Sequence, residues 1–157
     1  MKIRTMRSSE HDIQSAFFSW VQLYTTRYPE LSLMFAIPNG GKRDKRRDEK
    51  GRWFSPTALK LKREGVKPGI PDVFLPCARG GFHGLFIEMK APDGRVSPEQ
   101  ASIHKLLREE GYAVIVCYSL ESAITLLTWY LMDHPLSEEQ QTGDRRAAQG
   151  ARKEGIA

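Results

Sequence analysis

Apolar residues near the start of the chain recur at helical spacing, with Ile13, Phe17, Trp20, Val21 and Tyr24 on one face. Ser8-Ser9 reads as the helix start and Pro29 lies beyond its end, so the pattern predicts a helix from about residue 8 to about residue 27. Residues 31–37 form a short apolar run, predicted as a first strand, and Pro38-Asn39-Gly40-Gly41 closes it with turn chemistry. Ser55-Pro56 supplies an N-cap and a first-turn proline for a short helix ending before Gly65. Pro68-Gly69-Ile70-Pro71 is a rigid turn leading into a strand at 73–75, and Arg79-Gly80-Gly81 leads into another at 85–90. Ser97-Pro98-Glu99-Gln100 opens a helix reaching about Glu110, followed by a β-branched strand at 113–118 and a final amphipathic helix at 120–132. The order is helix, strand, helix, strand, strand, helix, strand, helix, which predicts an α/β fold with a mixed β-sheet flanked by α-helices.

The segment from Leu136 onward is polar, with four acids balanced by four bases, and is read as a disordered or weakly helical tail at 136–157 behind one domain at 1–135. A chain of 157 residues with 40% hydrophobic content is enough for one real core. No apolar run approaches the roughly 18 residues needed to span a bilayer. The basic start lacks a following apolar stretch, so a cytoplasmic protein without membrane contact is expected. Cys77 and Cys117 have no metal-ligand spacing and are expected to be buried free thiols.

Charge is unevenly distributed. Residues 39–67 carry eleven Lys/Arg against four Asp/Glu, a local +7 in a chain of net charge +5. A local excess larger than the whole net charge points to a polyanion, and Trp53 and Phe54 among the cations offer rings on which bases stack. A solvated loop kept basic for solubility is the plainer reading.

Strand alternation puts Glu88 and Lys90 on one face, roughly 7 Å apart. Charged groups at the end of an apolar strand are costly unless paired or metal-bound. Asp72 lies at the end of the Gly69-Ile70-Pro71 turn, far enough from Glu88 for a hairpin to bring the two carboxylates together. Such hard oxygen ligands suit Mg²⁺ or Mn²⁺, which polarise a phosphate and lower the pKa of a bound water. Lys90 would then neutralise developing charge or orient the attacking water. The plain reading of the same residues is a surface ion pair.

Pro71-Asp72 with Glu88-Met89-Lys90 resembles the PD-(D/E)xK nuclease signature. The wider set of Glu10, Asn39-Gly40-Gly41, Gly69-Ile70-Pro71-Asp72, Glu88-Met89-Lys90 and Gln100 resembles the VRR-NUC branch, especially its small standalone phage and bacterial members. That resemblance implies a restriction-endonuclease-like core, dependence on a divalent metal, and a homodimer that cleaves branched DNA such as Holliday junctions. The expected metal ligands are then Asp72, Glu88, the Met89 carbonyl and Glu10, with Lys90 and Gln100 beside them. Asn39, Gly40, Gly41, Lys42, Arg43, Lys45, Arg46, Arg47 and Lys67 are the expected contacts to the DNA backbone.

Several of these residues carry a second reading. Glu10 precedes Ile13 by three, at the N-terminal end of the apolar face, whereas Asp12 falls on the polar side; a favourable charge at a helix start is the alternative role. Gln100 sits at the third position of a capping box begun by Ser97, so it is either a cap or a group that orients Lys90 or a phosphate. Asn39-Gly40-Gly41 is either a plain turn or a set of backbone N–H groups for a phosphate. His83 and His104 have no partner at telling spacing, and His11 and His134 read as surface residues, so no histidine-based site is expected. The expectation is a metal-dependent DNA endonuclease selecting by DNA shape. Its rivals are a non-catalytic DNA-binding protein using residues 39–67 and a nuclease-fold subunit that has lost hydrolysis.

Overall fold

Helix α1 (Glu10–Tyr24) begins where the Ser9 hydroxyl accepts the Asp12 N–H and the Asp12 carboxylate accepts the Ser9 N–H. This reciprocal cap fixes the start at Ser9 and explains why Asp12 faces away from the core. The computed structural model describes residues 9–38, 46–47, 49–134 and 136. Ile13, Phe17 and Val21 form the buried stripe of α1, as their spacing requires. The helix ends at Tyr24, short of the expected residue 27, and a turn through Arg27 and Tyr28 follows.

Residues 31–37 are not one strand. Pro29–Leu33 is a 3-10 helix started by its proline, and only Phe35–Ala36 (β1) pairs with the sheet. Leu31 and Met34 are buried while Leu33 and Phe35 are about half exposed, so the run is apolar without being buried throughout. Within the basic segment 39–67, whose plainer reading is a solvated loop, β2 (Arg46–Arg47) and β3 (Trp53–Phe54) form a short antiparallel ladder. Helix α2 (Pro56–Arg63) is capped by Ser55 and buries none of its residues.

The main sheet is completed by β4 (Val73–Leu75), β5 (Leu85–Met89) and β6 (Ala113–Cys117), with helix α3 (Pro98–Glu109) joining the last two and α4 (Leu120–Leu131) following. Strand order is β1-β4-β5-β6; β1, β4 and β5 are antiparallel neighbours, and β5 and β6 are parallel, so the sheet is mixed as expected. The two faces of the sheet differ in composition. Val73, Leu75, Leu85, Ile87, Met89, Ala113, Ile115 and Cys117 alternate onto one face, where each is fully buried in one cluster with α1 and α4 side chains. Phe74, Phe86, Glu88 and Lys90 alternate onto the other face, towards α3. Cys77 and Cys117 are buried free thiols, in line with the sequence. Leu136, the first residue of the expected tail, joins the core cluster, and residues 137–157 lie outside the described part.

Candidate active site

Asp72 and Glu88 face each other across two strands. The β4–β5 register pairs Val73 with Ile87, and one step further sets Asp72 opposite Glu88. The Asp72 carbonyl accepts the Ile37 N–H, outward to β1, and the Lys90 N–H bonds the Cys117 carbonyl, outward to β6. Asp72 and Glu88 are therefore a non-hydrogen-bonded pair, the kind in which side chains stand closer together. Gly69 makes this placement possible: its φ is +83°, and a β-carbon there would lie 3.1 Å from the Glu99 carbonyl oxygen at the start of α3. Only glycine takes both that conformation and that approach without strain.

The Asp72 carboxylate accepts the Met89 N–H at 2.8 Å. A strand residue projects its N–H and C=O to the same side, so the Met89 carbonyl is directed to the β4 side, beside Asp72. Glu88 is 1% exposed and Lys90 6% exposed, and the Lys90 ammonium donates to Glu88 Oε1. Glu10 Oε1 lies 3.7 Å from Lys90 Nζ and accepts the Ala91 N–H at 3.4 Å. Glu10 is itself half exposed, which corrects its expected inward position: the carboxylate reaches the site from the rim. Burial would lower the Lys90 pKa, but the hydrogen bond to Glu88 and the charges of Glu88, Glu10 and Asp72 outweigh it, and the net direction is upward.

Gln100 is a cap, and its side chain also reaches the site, where its contact is Glu88 and not Lys90. Its Oε1 accepts the Ser97 N–H at 2.9 Å, completing the cap of α3, and its Nε2 donates to Glu88 Oε1 at 2.6 Å. Because the Ser97 N–H can only donate, the cap fixes which end of the amide faces Glu88. His104, set aside in the sequence for want of a partner, is 2% exposed with Nε2 3.4 Å from Glu88 Oε2. The clue was its spacing: Gln100 and His104 are one turn apart on the same side of a helix.

Glu10, Asp72, Glu88, Lys90 and Gln100 line one cleft of about 590 Å³, whose opposite wall is α2 and the turn after it. Lys67 lies on that wall, and Thr57 and Lys62, the latter one of the eleven basic residues of 39–67, join it. Arg46 and Arg47 are exposed on β2. Asn39, Gly40, Gly41, Lys42, Arg43 and Lys45 lie outside the described residues, as do the side chains of Trp53 and Phe54.

The donor set of this cleft matches a hard divalent cation. Mg²⁺ takes one or two carboxylates and completes its shell with water and substrate phosphate. Glu10, Asp72 and Glu88 against Lys90 leave a formal charge of about −2 for such an ion to neutralise. Among the described residues no three acidic, histidine or cysteine groups converge closely enough to form a cage, so the fit is to a site of two carboxylates with Glu10 at its edge.

Comparison with known proteins bears on the family and the fold. The VRR-NUC domain model matches residues 9–121. The chain is also similar to a solved structure of a "VRR_NUC domain protein", at 25% identity and a TM-score of 0.64, over 86% of this chain and 98% of that one. No curated protein matches the chain. The mixed sheet between helices, the cleft and the family model are consistent with a nuclease-type enzyme, which implies DNA as substrate. No helix among the described residues is long and apolar enough to cross a membrane. The chain belongs to the VRR-NUC family.

Proposed function

We propose that this protein is a DNA endonuclease dependent on Mg²⁺ or Mn²⁺, that it selects branched duplex such as Holliday junctions, and that it works as a homodimer. The observation that carries the reading is the convergence of Asp72, Glu88 and Lys90 at one cleft. The ion, when bound, supplies the charge that polarises the phosphate and acidifies a water. Asp72, Glu88 and the Met89 carbonyl would hold it, with Glu10 contributing from the rim. Water attacks phosphorus in line with the leaving oxygen; the new P–O bond replaces the ester bond, and the leaving oxygen gains a proton. Lys90 stabilises the charge that builds on the phosphoryl oxygens. In the ion-free cleft its pKa is raised by the neighbouring carboxylates, which favours the ammonium form that orients and neutralises.

The exposed cations of β2, together with Lys62 and Lys67 on the cleft wall, hold the phosphodiester backbone. Contacts of that kind position a duplex without reading bases, which supports selection by DNA shape. Two copies give two clefts, as paired cuts across a junction need. Cleavage of nicked, linear and four-way substrates with Mg²⁺, Mn²⁺, Ca²⁺ or EDTA tests the reading, using wild type, Asp72→Asn and Lys90→Ala. Activity is expected with Mg²⁺ and Mn²⁺, strongest on the junction, and lost in both variants. Cleavage that survives EDTA, or that neither substitution reduces, would refute the metal site. Sedimentation of the free protein tests the dimer.

A further inference from the structure

We infer that His104 is a positioning residue that holds Glu88 from behind the cleft, fixing the carboxylate oxygen that Lys90 and Gln100 do not contact. Lys90 and Gln100 both donate to Glu88 Oε1. Glu88 Oε2 and His104 Nε2 are buried, stand 3.4 Å apart, and have no other hydrogen-bond partner among the described residues. Leaving two buried polar atoms unsatisfied side by side is costly, and each is the complement of the other. A small rotation of the imidazole brings Nε2 within the range of an N–H···O bond. The bond requires the proton to be on Nε2.

His104 does not line the cleft, whereas Glu88, Lys90 and Gln100 do. It therefore does not touch substrate; it acts through Glu88. Gln100 and His104, one turn apart on α3, grip the two oxygens of one carboxylate, and Lys90 approaches from the strand. Three contacts leave the carboxylate plane no free rotation. A metal-binding carboxylate held in this way is oriented before the ion arrives, and loss of such an outer partner weakens metal binding. A histidine that merely filled space would be replaceable by leucine.

This inference rests on the metal reading of Glu88, and its test separates the two. Calorimetric titration with Mn²⁺ compares wild type, His104→Leu and His104→Gln, whose amide nitrogen reaches close to the Nε2 position. The Leu variant is expected to bind Mn²⁺ about 10- to 100-fold more weakly, with the Gln variant recovering most of the affinity. Equal affinity in wild type and a folded Leu variant overturns the inference, as does a Gln variant no better than Leu. Should the Leu variant not fold, long-range ¹H–¹⁵N correlation on wild type decides: a proton on Nε2 is expected, and a bare Nε2 overturns the inference. If wild type binds no Mn²⁺, the metal reading fails, and the proton on Nε2 alone decides whether His104 holds Glu88.

Discussion

Gln100 ties the start of α3 to the carboxylate of Glu88: one end of its amide accepts from Ser97 and the other donates to Glu88 Oε1 at 2.6 Å. The two functions of this side chain separate chemically. Gln100→Glu keeps an acceptor for the Ser97 N–H and replaces the donor with a like charge beside Glu88. Helix content by circular dichroism is expected to stay at the wild-type level, while cleavage falls about 10- to 100-fold. Wild-type cleavage in that variant would reduce Gln100 to a cap.

Lys90 and Glu88 are both almost fully buried, so each depends on the other. Lys90→Met strands the Glu88 charge and is expected to cost about 3 to 5 kcal/mol in urea denaturation. Adding Glu88→Gln to that variant removes the stranded charge and recovers most of the loss. Equal losses in the single and double variants would mean that the pair is not coupled.

Alkaline pH attacks the fold from the face opposite the cleft. Burial pushes the Cys117 thiol and the Tyr130 phenol up to about 12 each. In the unfolded chain they titrate near about 8.5 and 10. An acid whose folded pKa is raised stabilises the fold below its unfolded value and ceases to do so as pH climbs to the folded one. Melting temperature is therefore expected to fall from about pH 9 upward, and Lys90, also shifted upward, adds to the loss at the far end. Tyr130→Phe shortens the alkaline fall but removes the bond from its hydroxyl to the Cys77 carbonyl, at a cost of about 1 to 3 kcal/mol at neutral pH. A melting temperature flat to pH 12 would contradict the burial of both groups.

Arg46, Arg47 and Lys67 are exposed cations proposed to contact the DNA backbone. Replacing all three with Gln is expected to weaken duplex binding and to flatten the log–log salt dependence by about 3, close to one unit for each phosphate no longer neutralised. An unchanged slope would remove these residues from the DNA surface.

Strand parity and turn chemistry carried most of this site in the sequence, because both are local. Glu88 and Lys90 share a face by alternation, and Pro71 and Gly69 mark the turn that sets Asp72. Residues 31–37 misled because an apolar run does not reveal exposure: Leu33 and Phe35 stand at the surface, and Pro29 favours a tight helical turn. His104 showed in the sequence only as a residue one turn from Gln100, because its partner lies on a strand sixteen positions earlier and only the packing of α3 on the sheet joins them. Glu10 was half legible: helix phase placed it at the end of the apolar stripe, but phase says nothing of how far a carboxylate reaches.

The alternation of β5 has a consequence for how this gene can change. Leu85, Ile87 and Met89 feed the core while Phe86, Glu88 and Lys90 face α3, so a single-residue insertion or deletion within the strand would exchange the two sets. It would drive a carboxylate and an ammonium into the oily layer under α1 and α4, and strand two apolar chains at the cleft. A loss of function of that kind would also be a loss of the folded protein. A point substitution at Glu88 or Lys90 strands its partner's charge but leaves that layer in place, since the layer is made by different residues. Sequence drift can thus silence the chemistry one side chain at a time, but it cannot slide the strand.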